Sequence, residues 1–248
     1  MSGHSKWSTI KRKKGAADAK RSKMFSKIVK EIQVAVKEGG PDEESNPRLR
    51  VALQNAKGAN MPKDNISRAI SKASSDGANF QEVTFEGYGP GGVAVFIDCL
   101  TDNNNRTVGV IRSIFTKKGG TLGTNGSLSF LFDRKGVFTI PKGDLDPEEF
   151  ELEIIDAGVE DIEEESDVFI VITALEDFGS VQKKLDELGV EPENSVLQRI
   201  PNDTKELDTE SAVKFLRMVE DFEEDDDVQN VYHNLEMTND LMNILENE

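Results

Sequence analysis

The spacing of apolar residues changes at Gly77, and that change limits the folds open to this chain. Before it, apolar residues recur every three or four positions. Phe25, Ile28, Val29, Ile32 and Val36 form one set, Leu49, Ala52, Leu53 and Ala56 a second, and Ile66, Ala69, Ile70 and Ala73 a third. Each set falls on one face of a helix. Gly39-Gly40-Pro41 stops the first helix, Asn46-Pro47 gives the second a cap and a first-turn proline, and Pro62 opens the third. Three such helices make a small bundle.

After Gly77, strand patterns alternate with helical ones. Val83 and Phe85 alternate with polar neighbours, "GYGPGG" turns, and "VAVFIDCL" reads as a buried strand. "NNNRTVGVIRSIFTKKGG" reads as a helix, "GGTLGTNG" as a loop and "GSLSFLFD" as a strand. From Lys135 come strand "GVFTI", helix "DPEEFELEIIDAG", strands "VEDIEEE" and "DVFIVITAL", helix "FGSVQKKLDELG" and strand "SVLQRIP". That order, β-α-β-β-α-β, is a ferredoxin-like unit. A helix and strand over 209–234 complete a second unit around it. The expected class is therefore α+β. Residues 1–78 form a basic helical domain, 79–134 with 203–248 an α+β domain, and 135–202 an acidic domain inserted into it.

Charge divides the chain in much the same place. Residues 1–75 carry a net +10 and the remainder -27, in a protein of net charge -17. Eight cations crowd the first 23 residues (Lys6, Lys11, Arg12, Lys13, Lys14, Lys20, Arg21 and Lys23) against one acid, Asp18. Clustered cations bind phosphate backbones by releasing counterions. Trp7, the sole tryptophan, lies inside this arm, where its ring can stack on an unpaired base. Lys63 and Arg68, with Lys72, sit on the third predicted helix, which could lie against a duplex. "GGTLGTNGS" and the helix bearing Arg106, Arg112, Lys117 and Lys118 form a candidate second contact surface.

Residues for catalysis are sparse. Cys99 lies in an apolar strand, and His4 and His233 are far from it in sequence, so no nucleophile–base pair is evident. Asp98 and Asp102, and 13 acids over 144–167, offer oxygens to a hard cation, but no calcium loop, P-loop or dinucleotide fingerprint accompanies them. No metal, cofactor or small-molecule substrate is expected. A metal-dependent phosphoryl-transfer enzyme and a scaffold working through its acidic surface are the competing classes. One cysteine allows no intrachain disulfide, and no run of 18 apolar residues is present, so a cytoplasmic protein without a membrane span is expected.

Four stretches carry a resemblance. They are "GHSKWSTIKRKKGAADAKRSKMFSKIVKEI", "GGPDEESNPRLRVALQNAKGANMPKDNISRAI", "EGYGPGGVAVFIDCLTDNNNRT" and "FTKKGGTLGTNGSLSFLF", with "LQRIPND" further on. Together they resemble the YebC family over nearly the whole chain. The opening motif matches at Gly3, His4, Ser5, Lys6, Trp7, Ile10 and Lys11. A second motif matches at Asn60, Met61, Pro62, Asp64, Asn65, Ile66, Arg68, Ala69 and Ile70. "PDEESNP" departs from the pattern in a loop. The resemblance implies a three-domain α+β protein, with an N-terminal helical domain and two further α/β domains, the third inserted in the second, and no catalytic residues. It implies either a cytoplasmic DNA-binding transcriptional regulator or a translation factor that contacts ribosomal RNA on the ribosome.

Overall fold

The computed structural model describes residues 18–76 and 79–247. Three helices come first: α1 (Asp18–Gly39), α2 (Pro47–Gly58) and α3 (Lys63–Asp76). Then follow β1 (Gln81–Tyr88), β2 (Ala94–Thr101), α4 (Asn104–Lys117), β3 (Thr121–Leu122) and β4 (Phe132–Pro141). Next are α5 (Pro147–Ile154), β5 (Val159–Glu164), β6 (Val168–Ala174), α6 (Phe178–Leu188) and β7 (Asn194–Pro201). The chain continues through α7 (Thr209–Glu223), β8 (Val228–His233) and α8 (Asn239–Asn247). The architecture is α+β, with two sheets ordered β3-β1-β2-β8 and β5-β6-β4-β7. All strands of the second sheet lie between β3 and β8 in sequence. Contacts gather the described residues into two units, 18–30 with 79–133 and 200–247, and 31–76 with 134–199.

In the first unit β2 is the central strand, paired antiparallel with β1 from Gln81↔Thr101 to Tyr88↔Ala94 and with β8 on its other side. Val95, Ile97 and Cys99 face a core built with Ile111 and Phe115 of α4 and Phe215, Val219 and Phe222 of α7. Ala94 and Phe96 point the other way, toward Leu128, Phe132 and Tyr232. Both faces are covered, which is why "VAVFIDCL" shows no polar alternation.

Asp227, 5% exposed, joins three elements of this unit. Its carboxylate accepts from Lys30 of α1 at 2.9 Å and from Arg106 of α4 at 2.5 Å. The hydroxyls of Thr101 and Thr107 donate to it at 3.0 and 2.9 Å. Its own carbonyl accepts from the Leu100 amide at 2.8 Å.

The second unit pairs β4 with β6 and β5 with β6, all antiparallel. Its strand order, second-third-first-fourth by sequence, is that of the split β-α-β fold. Phe138, Ile140, Phe169 and Val171 pack under Phe150 and Ile154 of α5 and Val181 and Leu185 of α6. Asn46 caps α2 by accepting from the Leu49 amide, and its amide group donates to Ala35 at 2.7 Å and Gly40 at 2.9 Å, tying the end of α1 to the start of α2.

At its other end α2 docks on β7. The Asn55 side chain makes a two-way bond with the Ser195 backbone, at 2.8 and 2.7 Å. Gly58 permits the approach, since a Cβ there would collide with the Glu193 carbonyl oxygen. On an isolated helix Gly→Ala gains about 1 kcal/mol. Here Gly58→Ala is expected instead to destabilise the unit by about 1–3 kcal/mol, read by urea unfolding. A raised unfolding midpoint would contradict the docking.

Two expectations need correction. The predicted strand over "GSLSFLFD" is a 3-10 turn at Ser129–Leu131, and the strand begins only at Phe132, running on through "GVFTI". The reason is Glu86, buried at 2% exposure on β1. Its carboxylate draws in the loop, accepting from the amides of Gly126 at 2.7 Å and Leu128 at 2.5 Å. A buried carboxylate requires such donors. Second, α8 was not foreseen; it carries Leu241 and Leu245 into the first unit's core.

Candidate nucleic-acid interface

Of the arm residues singled out from sequence, Lys6, Trp7, Lys11, Arg12, Lys13 and Lys14 lie outside the described residues, and Lys20 is described only as part of the α1 backbone. The cations that follow divide into two groups. Lys23, Lys27 and Lys30 repeat at helical spacing and share a face of α1. Lys23 donates to the Glu224 carbonyl at 2.6 Å, Lys27 to Gln229 at 3.1 Å and Lys30 to Asp226 at 2.7 Å. The Glu224 and Asp226 carbonyls belong to the acidic turn that leaves α7, where the helix dipole is negative, and Gln229 lies at the start of β8. The three ammonium groups therefore fix residues 18–30 of α1 within the first unit. Arg21 stands over the Phe25 ring, 5.4 Å from its centroid.

The second group lies on α2 and α3, in the second unit. On α3, Ala69 and Ala73 are buried and Ile66 and Ile70 half-buried, which fixes the opposite arc as the outward face. That arc presents Lys63, Ser67, Ser71, Arg68 and Lys72, with one acid, Asp64, among them, all exposed. Lys57, exposed in the last turn of α2, precedes it. The side chains of Lys57, Lys63, Arg68 and Lys72 make no ion pair or hydrogen bond with the described residues. Asp64 stands one turn before Arg68, yet the two do not pair.

Several other cations of the body are engaged by acids. Arg48 bonds Glu31 and Glu38, both at 2.8 Å, and Lys135 bonds Glu160 at 2.7 Å. Lys142 pairs with Glu164 at 2.6 Å and Lys118 with Asp221 at 2.8 Å. In a chain of net charge -17, four unneutralised cations within sixteen residues make a local positive face. Ser67 and Ser71 lie between Lys63 and the Arg68–Lys72 pair. Their short hydroxyl side chains let a phosphate backbone come close and can donate to it. Sequence reasoning missed these two serines and Lys57. The i, i+4 serine spacing opposite the alanines was the available signal.

The second contact surface expected on α4 is largely neutralised. Arg106 bonds both Asp102 and Asp227, and Lys118 bonds Asp221, leaving Arg112 and Lys117 exposed. The glycine-rich loop beside it is folded around Glu86.

The groups weighed for catalysis are placed as follows. Cys99 is 2% exposed, and burial, with the carboxylates of Asp225, Asp98 and Asp227, pushes its thiol well above the ordinary range. His233 pairs with Val95 on β2, four residues along the strand from Cys99, or roughly 13 Å at about 3.3 Å per residue. His233 is itself buried, its ring edge-on to Phe215. Asp102 is engaged by Arg106. Among the described residues, no group of three or more His, Cys, Asp or Glu is placed to hold a metal ion, and no helix is long and apolar enough to cross a membrane.

Residues 5–76 match the family model described as the TACO1/YebC protein N-terminal domain, and residues 80–235 that of the TACO1/YebC second and third domain. A "probable transcriptional regulatory protein" of Amoebophilus asiaticus is 54% identical over 95% of this chain and 98% of its own. One from Clostridium botulinum is 50% identical over 95% and 97%. The crystal structure of a conserved hypothetical protein from Aquifex aeolicus superposes with a TM-score of 0.81 at 44% identity, covering 89% of this chain and 92% of that one.

Proposed function

The chain belongs to the TACO1/YebC family, and we propose that it is a cytoplasmic, non-enzymatic regulator of gene expression that binds DNA through its phosphate backbone. The observation that carries this reading is the unpaired cation–serine face of α3. A 14-residue helix is about 21 Å long, and a helix of ordinary width enters the major groove, about 12 Å across. Lys63, Arg68 and Lys72 would contact phosphates, and the arm residues Lys6, Lys11, Arg12, Lys13, Lys14, Lys20 and Arg21 would add further contacts. Lys23 contributes less, being held by Glu224. The names of the relatives, probable transcriptional regulatory proteins, support transcription as the process. The three-domain division drawn from sequence, with the basic domain as the binding part, belongs to the same reading. No cofactor enters it.

Trp7 favours a second reading, in which the arm engages unpaired bases of ribosomal RNA. Stacking on a base is worth about 1–3 kcal/mol. Trp7→Ala should then weaken binding to single-stranded RNA roughly 5- to 150-fold. On the DNA reading the whole chain binds duplex DNA at least as tightly as that RNA, and Trp7→Ala leaves duplex binding unchanged. Fluorescence anisotropy with both probes separates the two readings. Failure of both probes to bind would remove both readings.

A further inference from the structure

Helix α5 presents an apolar pair to solvent. Phe150 and Ile154, one turn apart, are buried in the second unit's core and set its inward face. Leu152 lies about 200° around the helix from Phe150 and is 74% exposed, and Ile155, three residues on, is 51% exposed. An outward leucine alone would be unremarkable, since apolar atoms make up over half of a folded protein's surface. Here Leu152 also lines a groove of about 430 Å³ with Glu149, Glu153, Asp156, Ala157 and Lys184. Lys184 is engaged with Glu153 at 3.3 Å, and Glu149 and Asp156 make no ion pair. The helix and its 3-10 extension over 147–157 hold five acids and no base.

We infer that this face docks a cationic amphipathic segment of a partner protein, with its apolar side chains set against Leu152 and Ile155 and its lysines or arginines facing the acids around them. Charge decides among the occupants. The acidic rim repels phosphate polymers and anionic lipid surfaces alike. A helix with apolar anchors at i and i+3 or i+4, flanked by cations, complements both the apolar pair and the rim. The acids would steer such a partner, and the apolar contact would hold it. This surface is separate from the cation–serine face of α3 and does not depend on the function proposed for that face.

The probe is a labelled 14-residue helical peptide of lysine and leucine, followed by fluorescence anisotropy with the whole chain. A control peptide carries the same lysines with serine for every leucine. The leucine peptide should bind the wild type, and the double variant Leu152→Ser/Ile155→Ser should bind it roughly 10- to 100-fold more weakly. Both substituted side chains are exposed, so urea unfolding of the variant should match the wild type. Glu149→Gln/Asp156→Asn should weaken binding several-fold at low salt, with the difference shrinking as salt rises. Equal binding of the two peptides, or binding unaffected by the double serine variant, would overturn the inference. So would a wild-type dimer in sedimentation that the variant dissociates, since a second copy would then be the occupant.

Discussion

Replacing Asp227 with alanine is expected to cost about 3 kcal/mol of unfolding free energy. The estimate follows from what the carboxylate leaves behind. Lys30, 15% exposed at its side chain, would lose its acidic partner within the unit. Stranding one member of a buried ion pair typically costs about 3–5 kcal/mol. The lower end applies because Arg106 is half exposed and keeps Asp102. The hydroxyls of Thr101 and Thr107 would lose their shared acceptor as well. Asp227→Asn, which keeps the shape and drops the charge, should cost less and reveal the pH dependence. Burial alone would raise the Asp227 pKa, but the bonds from Arg106, Lys30 and Thr107 outweigh it and hold the group at about 2, below its ordinary 3.8. A carboxylate depressed in this way adds stability that is complete above about pH 4 and is lost as pH falls through 2. Urea unfolding of the wild type and Asp227→Asn should therefore differ most near neutrality and converge between pH 4 and 2. A deficit that stays constant to pH 2.5 would mean that the ionised carboxylate is not what joins α1, α4 and the turn before β8.

The second large effect concerns binding. Lys63→Ala/Arg68→Ala/Lys72→Ala removes three exposed cations that have no partner among the described residues, so folding should be nearly unaffected. Affinity for duplex DNA should fall roughly 10- to 100-fold at physiological salt, and the dependence on salt should become shallower by about 2 to 3 in a log–log plot. Loss of three charges from the engaged set, as in Lys135→Ala/Lys142→Ala/Lys118→Ala, should affect binding much less. These side chains already face Glu160, Glu164 and Asp221. Equal losses in the two triple variants would point to net charge alone, without a role for the α3 face.

Local signals in the sequence reached some of these features and could not reach others. Asn46-Pro47 fixed the start of α2 because a cap and a first-turn proline act within one turn, and the structure has Asn46 accepting from the Leu49 amide. The strand "VAVFIDCL" was legible because both of its faces are buried. The stretch over 126–133 misled because Leu128, Phe130 and Phe132 alternate like a strand. Its conformation is set by Glu86, forty residues earlier, and Phe130 ends up 71% exposed. The cations show the same limit. Lys23 read as part of a basic arm, but it donates to the Glu224 carbonyl some two hundred residues away. Which lysines stay available is a tertiary property. Lys63 and Arg68 were legible as a helical face, whereas their lack of partners became visible only with the fold.

The phosphate-binding claim is tested most directly by titrating the intact chain with a labelled duplex across a range of salt concentrations. If the arm engages about five phosphates and α3 three more, log affinity should fall against log salt with a slope of about -7, and the α3 triple variant should return a slope of about -4.5. A wild-type slope no steeper than about -1, or one that the triple variant leaves unchanged, would contradict the account.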